Sequence, residues 1–143
     1  TNFDVLEHIE KDKEYLEKVN SILKPDGYIL VTVPAYQFIW TKLDNVLGHF
    51  RRYNRKNINT LFDKAGYKII QSSYFFMILS PLFIIIRLLQ KFLNNSGSLK
   101  ENVIPVPFFI NKLFVYFLKT ESLLMKYINL PFGTSIIVLA KKK

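Results

Sequence analysis

Two clusters of residues in this chain have types and spacings suited to chemistry. In the denser one, Asp44 and Gly48 lead into His49, Arg51, Arg52 and Tyr53. Arginine grips phosphate or carboxylate in a bidentate fork, so Arg51 and Arg52, with Tyr53, are candidates to hold an anionic substrate. Imidazole titrates near neutrality, which makes His49 the candidate general base for a hydroxyl acceptor. The same residues also admit a plainer role: a loop pinned by an Asp44–arginine pair, with its aromatics packed inward. The other cluster is Asp4-Val5-Leu6-Glu7-His8, read as the end of a strand. Ligands of open α/β sheets bind in the crevice beyond such ends. Here too a structural role competes, with Leu6 and Ile9 in the core and Glu7 and His8 orienting a turn. His8 and His49 are far apart in sequence, without a cluster of metal-ligand spacing. P-loop, GxSxG and EF-hand patterns are absent.

These clusters need elements to position them. Asp12 is a candidate cap for a helix whose apolar face is Tyr15, Leu16, Val19, Ile22 and Leu23. Pro25-Asp26-Gly27 turns the chain into an apolar, β-branched run, Tyr28 to Val33. Such a run suits a strand covered on both faces in a parallel sheet. A strand end, a helix and a second strand make a βαβ unit. Residues 34–54 read as a polar and aromatic excursion. Asn54 then caps a helix with Ile58, Leu61, Phe62 and Ala65 on one face and Gly66 just past its end. A strand over 67–74 follows. Ser80-Pro81 suits a helix start, running to about Leu93. Residues 94–98 read as a loop, Pro105 and Pro107 as extended, 108–129 as a longer helix and 135–140 as a last strand.

The motifs Val5-Leu6-Glu7-His8-Ile9 and Leu23-Lys24-Pro25-Asp26-Gly27 resemble, in sequence and spacing, the later half of the core of class I S-adenosylmethionine-dependent methyltransferases. The stretches around Gly48-His49-Phe50-Arg51-Arg52-Tyr53 and Pro131-Phe132-Gly133-Thr134-Ser135 resemble a type 11-like subgroup that often accompanies glycosyltransferases. The similarity extends over nearly the whole chain. It implies an α/β fold: a partial Rossmann-like domain over 1–143, with the late strands of the sheet, a final antiparallel pair at its edge and an apolar helical insertion over 75–134. It implies S-adenosylmethionine as cofactor, with Asp4, Val5 and Leu6 bordering its cleft by backbone and short side-chain contacts. The family's first strand and glycine-rich loop precede such motifs, so the chain reads as the C-terminal part of an enzyme. Taken alone it is expected to be inactive and to bind the cofactor weakly or not at all.

Composition bears on the partner. Half of the residues are hydrophobic and cysteine is absent, which excludes disulfides and thiolate chemistry. Residues 1–26 carry seven acidic and four basic side chains, a net −3; the rest carries +12 of the total +9. A basic, apolar C-terminal part points to an anionic partner. Nucleic acid is disfavoured, because the aromatics sit in apolar faces rather than between arginines. Residues 74–93 are nearly apolar enough to span a bilayer, but Pro81 divides them and Arg87 and Lys91 fall on a polar stripe. With Lys112, Lys119 and Lys126 edging the next helix, the pattern suits helices lying in a membrane interface. It equally suits helices that cover each other and the sheet edge. Glu121 faces the apolar side and needs a partner, for which Arg87 is the candidate. The expectation is the C-terminal part of a cytoplasmic, membrane-peripheral methyltransferase acting on a small-molecule or on a glycan-, lipid- or polyprenyl-linked acceptor. The rival is a non-catalytic, membrane-peripheral interaction protein derived from a split or decayed methyltransferase.

Overall fold

In a computed structural model, residues 1–92 and 107–143 are described. The expected loop at 94–98 and the extended Pro105 lie outside them. Four strands form one mixed sheet in the order β1-β2-β4-β3: β1 (Asn2–Phe3), β2 (Tyr28–Pro34), β3 (Tyr67–Phe75) and β4 (Ser135–Lys142). β1 runs parallel to β2, while β4 lies between β2 and β3 and is antiparallel to both. β1, β2 and β3 therefore end at the same edge of the sheet, where β4 begins. The expected final antiparallel pair is present, with one irregularity between Ile69 and Gln71.

One face of the sheet carries the core. Ile29, Val31 and Val33 alternate along β2, and Ile136, Val138 and Ala140 along β4, all of them buried. Leu16 of α1 (Asp12–Ile22) and Ile58 and Phe62 of α3 (Arg55–Lys64) belong to the same buried cluster. The Tyr67 hydroxyl donates to the Leu16 carbonyl at 2.9 Å. Burial pushes that phenol up to about 12. The opposite face is only partly covered: Leu30 is half-buried and Tyr28 exposed, so β2 is not sealed on both sides as its apolar run suggests.

Helix ends differ in instructive ways. Asn54 caps α3 as expected, its side chain accepting from Asn57 N at 2.7 Å, and Gly66 follows with φ +84°. The cap of α1 is Lys11, not Asp12, whose carboxylate is drawn into long-range contacts. Ile22, expected on the apolar face of α1, is 78% exposed because the helix stops there and Leu23 turns extended. Its terminal carbonyls are satisfied by the C-terminal lysines: Lys142 Nζ donates to Asn20 O at 2.7 Å and Leu23 O at 2.9 Å. A cation at a helix C-terminus also complements the helix dipole.

The excursion after β2 is more structured than its composition suggests. A 3₁₀ turn (Gln37–Ile39) leads to α2 (Lys42–Val46), started by a capping box in which Thr41 N donates to Asp44 Oδ2 at 2.9 Å. The insertion between β3 and β4 contains α4 (Ser80–Phe92) and α5 (Phe108–Leu124), the latter ending before the expected Asn129. Ser80 is the first helical residue rather than the cap, and its hydroxyl donates to Met77 O at 2.7 Å. Gly133, where the chain re-enters the sheet, is fixed by space: a Cβ there would overlap the Phe75 carbonyl. No helix among the described residues is long and apolar enough to cross a membrane.

Candidate functional site

The ends of β1 and β2 and the start of β4 open into a cavity of about 550 Å³. Its polar wall includes Asp4, Glu7, His8, His49 and Arg52, and α4 and α5 supply an apolar wall with Phe83, Phe114 and Leu118. The site thus lies in the crevice beyond the strand ends.

Asp4 follows β1 with φ +50°, an uncommon conformation for a non-glycine residue. Thr32 of the neighbouring strand holds it there. Asp4 N donates to Thr32 Oγ1, and Thr32 Oγ1 donates to Asp4 Oδ1, each at 3.1 Å. Leu6 is buried, with its carbonyl accepting from Ile9 N at 3.2 Å, and Val5 is half-buried. Asp4 alone of these three lines the cavity. An acidic residue held at a strand end, beside backbone and an open cavity, fits the cofactor edge that the sequence resemblance implies.

The loop after α2 is zipped onto these residues by backbone bonds. Tyr53 N donates to Pro34 O at 3.0 Å, Tyr36 N to Tyr53 O at 2.8 Å, and Phe50 N to Glu7 O at 2.7 Å. The last of these carries His49 across to His8. The two rings, far apart in sequence, meet edge to face with centroids 4.7 Å apart. The separation inferred from sequence is corrected by this contact.

Asp44 is the hub. Fully buried, it accepts from Arg52 Nε at 2.7 Å, pairs with Arg52 Nη2 at 2.6 Å and meets His49 Nδ1 at 3.1 Å. Arg87 of α4 lies 3.6 Å from it and donates to Thr41 Oγ1 at 2.5 Å. Burial alone would raise the Asp44 pKa, but the Thr41 amide and the two guanidiniums hold the carboxyl below its ordinary range. Burial lowers the His49 pKa, outweighing its Asp44 contact, so the ring is neutral near pH 7. With Nδ1 on Asp44, the nitrogen left for chemistry is Nε2.

The expected anion-holding residues divide. Arg52 lines the cavity, although its fork is occupied by Asp44 and Ala35 O. Arg51 pairs with Asp12 at 2.8 Å and donates to Glu10 O at 2.6 Å. Tyr53 is buried, and its hydroxyl donates to Asp12 Oδ2 at 2.9 Å; burial raises its pKa strongly. Arg51 and Tyr53 line a separate depression beside Asp12, not the main cavity. Arg87 is the residue that sequence reasoning missed here. It was matched with Glu121, but Glu121 is buried and its Oε2 accepts from Ile78 N at 3.3 Å. The Thr41-x-x-Asp44 spacing was the available signal for the hub.

No curated protein matches the chain significantly. Among solved structures it resembles phosphoethanolamine N-methyltransferase 2 of Haemonchus contortus in complex with S-adenosyl-L-methionine. That likeness has a TM-score of 0.51 and 16% identity, over 98% of this chain and 32% of that one. A second structure of that enzyme, with phosphomonomethylethanolamine and S-adenosylhomocysteine, gives a TM-score of 0.48 and 16% identity, over 99% of this chain and 32% of that one. The chain thus spans about a third of the length of these structures, and the first likeness speaks to fold. A family model described as a methyltransferase domain matches residues 1–72, which hold β1, β2, the His49 loop and most of the polar wall. Together with the mixed sheet and the crevice at its strand ends, that match shows that this chain belongs to the methyltransferase-domain family.

Proposed function

We propose that the chain forms the acceptor side of an S-adenosylmethionine-dependent methyltransferase whose acceptor is amphipathic: a glycan-, lipid- or polyprenyl-linked molecule with a hydroxyl to be methylated. The observation that carries this is the two-sided cavity, ionisable at the strand ends and apolar along α4 and α5. A free sugar or a small amine would leave the apolar wall unused, whereas a lipid-linked head group fills both. When bound, S-adenosylmethionine supplies an electrophilic methyl group on its sulfonium. The backbone at Asp4, Val5 and Leu6 borders that cofactor. His49 accepts the acceptor's hydroxyl proton at Nε2, with Asp44 orienting the ring. Arg52 and Arg87 bring two guanidiniums to the cavity wall, both paired with the buried Asp44, as donors beside a polar head group. The outward apolar faces of α4 and α5, with Lys91, Lys112 and Lys119 on the same helices and Lys126 in the turn after α5, favour a peripheral position on an anionic membrane, where such acceptors reside.

The test uses the whole protein that carries this chain, treated with chelator, with labelled S-adenosylmethionine and a series of acceptors: free glycans, phosphoamines and polyprenyl-phosphate sugars. Transfer to the lipid-linked sugars is expected. His49→Gln should lower kcat by about 10²–10⁴-fold, the range for a lost general base, with cofactor affinity unchanged. Equal turnover by His49→Gln removes the base from the reading. Vesicle binding without transfer to any acceptor favours a non-catalytic interaction protein.

A further inference from the structure

Glu7 and His8, which the proposed proton transfer does not use, stand beside His49 on the cavity wall. One ligand atom from each lies within 4.8 Å of the others. Glu7 is buried, and its Oε2 is, among the described residues, the only buried carboxylate oxygen without a hydrogen-bond partner. A buried oxygen of this kind is costly to leave unmatched. It lies on the cavity wall beside two imidazoles packed edge to face at 4.7 Å. The obvious cationic neighbour, Arg52, is already committed to Asp44 at 2.6 Å.

We infer that Glu7, His8 and His49 bind a divalent cation of the class that prefers imidazole and carboxylate together, such as Zn²⁺ or Co²⁺. Three ligands at about 2.0–2.2 Å around one ion stand about 3.4 Å apart, so the ligand atoms, now within 4.8 Å of one another, close in by side-chain adjustment, for which the exposed His8 ring has room. The site has the supporting partner that bound histidines typically have: Asp44 Oδ1 meets His49 Nδ1 at 3.1 Å, leaving Nε2 for the ion. The cavity supplies an entry path and room for a further ligand. A bound ion would occupy Nε2 of His49 and could itself polarise a hydroxyl; the base role of His49 belongs to the chelator-treated protein in which transfer is tested. Asp4, on the same wall, adds negative charge near the ion.

The experiment is calorimetric titration of the full chain, first freed of metal with chelator, using ZnCl₂, together with the visible spectrum after adding CoCl₂. Saturable binding of one ion per chain and the absorption of low-coordinate Co²⁺ are expected. His8→Ala and Glu7→Gln should each weaken Zn²⁺ binding by at least about tenfold. His8 is exposed, so its variant keeps the fold and decides the matter even where Glu7→Gln does not fold. Absence of saturable binding, or His8→Ala binding as wild type does, overturns the site. The readout is ion binding and is independent of methyl transfer.

Discussion

Around Asp44, two guanidiniums, an imidazole and a backbone amide converge on one carboxylate shielded from water. Along α4 and α5 the reverse holds: Phe109 is 83% exposed, and Leu82, Ile85, Leu113 and Tyr116 also face outward. The polar wall is over-determined at Asp44, which Arg52, Arg87, His49 and the Thr41 amide all engage. The apolar wall is held at few points, by Arg87 on Thr41, Glu121 on Ile78 N and Gln71 on the Met125 carbonyl. A site that reads a head group needs fixed donors. A surface that meets hydrocarbon needs only area and orientation, which fits the difference.

Breaking the hub should have the largest effect. Asp44→Ala leaves Arg52 and Arg87 without their buried counter-charge, and about 3–5 kcal/mol of stability should be lost. Denaturant unfolding measures it. A loss within 1 kcal/mol, about that of an exposed ion pair, would show that the wall is not over-determined. Next comes the joint between the two regions. Gly133→Ala forces a methyl against the Phe75 carbonyl and should cost about 1–3 kcal/mol. Thermal melts measure the cost, and a melt equal to wild type would show that the joint gives way to the methyl without loss.

The apolar surface is tested by co-sedimentation with anionic vesicles. Each lysine near the bilayer contributes about 1 kcal/mol that salt weakens, so Lys112→Gln with Lys119→Gln should reduce binding and its salt dependence. Complete loss of wild-type binding at high salt would mean that the exposed apolar side chains do not enter the bilayer.

The smallest effect is on pH dependence. His49 has a folded-state pKa below its ordinary value because burial disfavours its charge. The unfolded chain therefore binds the proton first. Stability is full above the unfolded value near 6.5 and falls as pH drops from there toward the folded value. His49→Gln should flatten that window. Asp44, whose folded pKa is also depressed, loses its contribution only at lower pH, as the medium falls through its folded value. A His49→Gln curve with the same slope as wild type from pH 7 to 5 would show that the ring is not desolvated.

Much of the fold was legible from local chemistry. Asn54 caps α3, Gly66 takes the left-handed position after it, and the β-branched run at 28–33 becomes a strand, because each depends on neighbours a few residues away. The lysines at the end read only as charge, yet Lys142 closes α1 from across the sheet. Asp12 looked like a cap because its partners, Arg51 and Tyr53, are brought to it only by folding.

The sequence by itself determined the family motifs, the kinds of side chain at the strand ends and the amphipathic character of the insertion. Residue type and short-range periodicity encode all three. Only the tertiary structure decided the partners. It brought Arg87 to Asp44, set His8 against His49, left Glu7 Oε2 unmatched and sent Arg51 and Tyr53 to another depression. Those outcomes depend on the parallel pairing of β1 with β2 and on the backbone bonds that lay the His49 loop over Glu7. Contacts between residues some forty positions apart are set by that packing, and no local spacing records it.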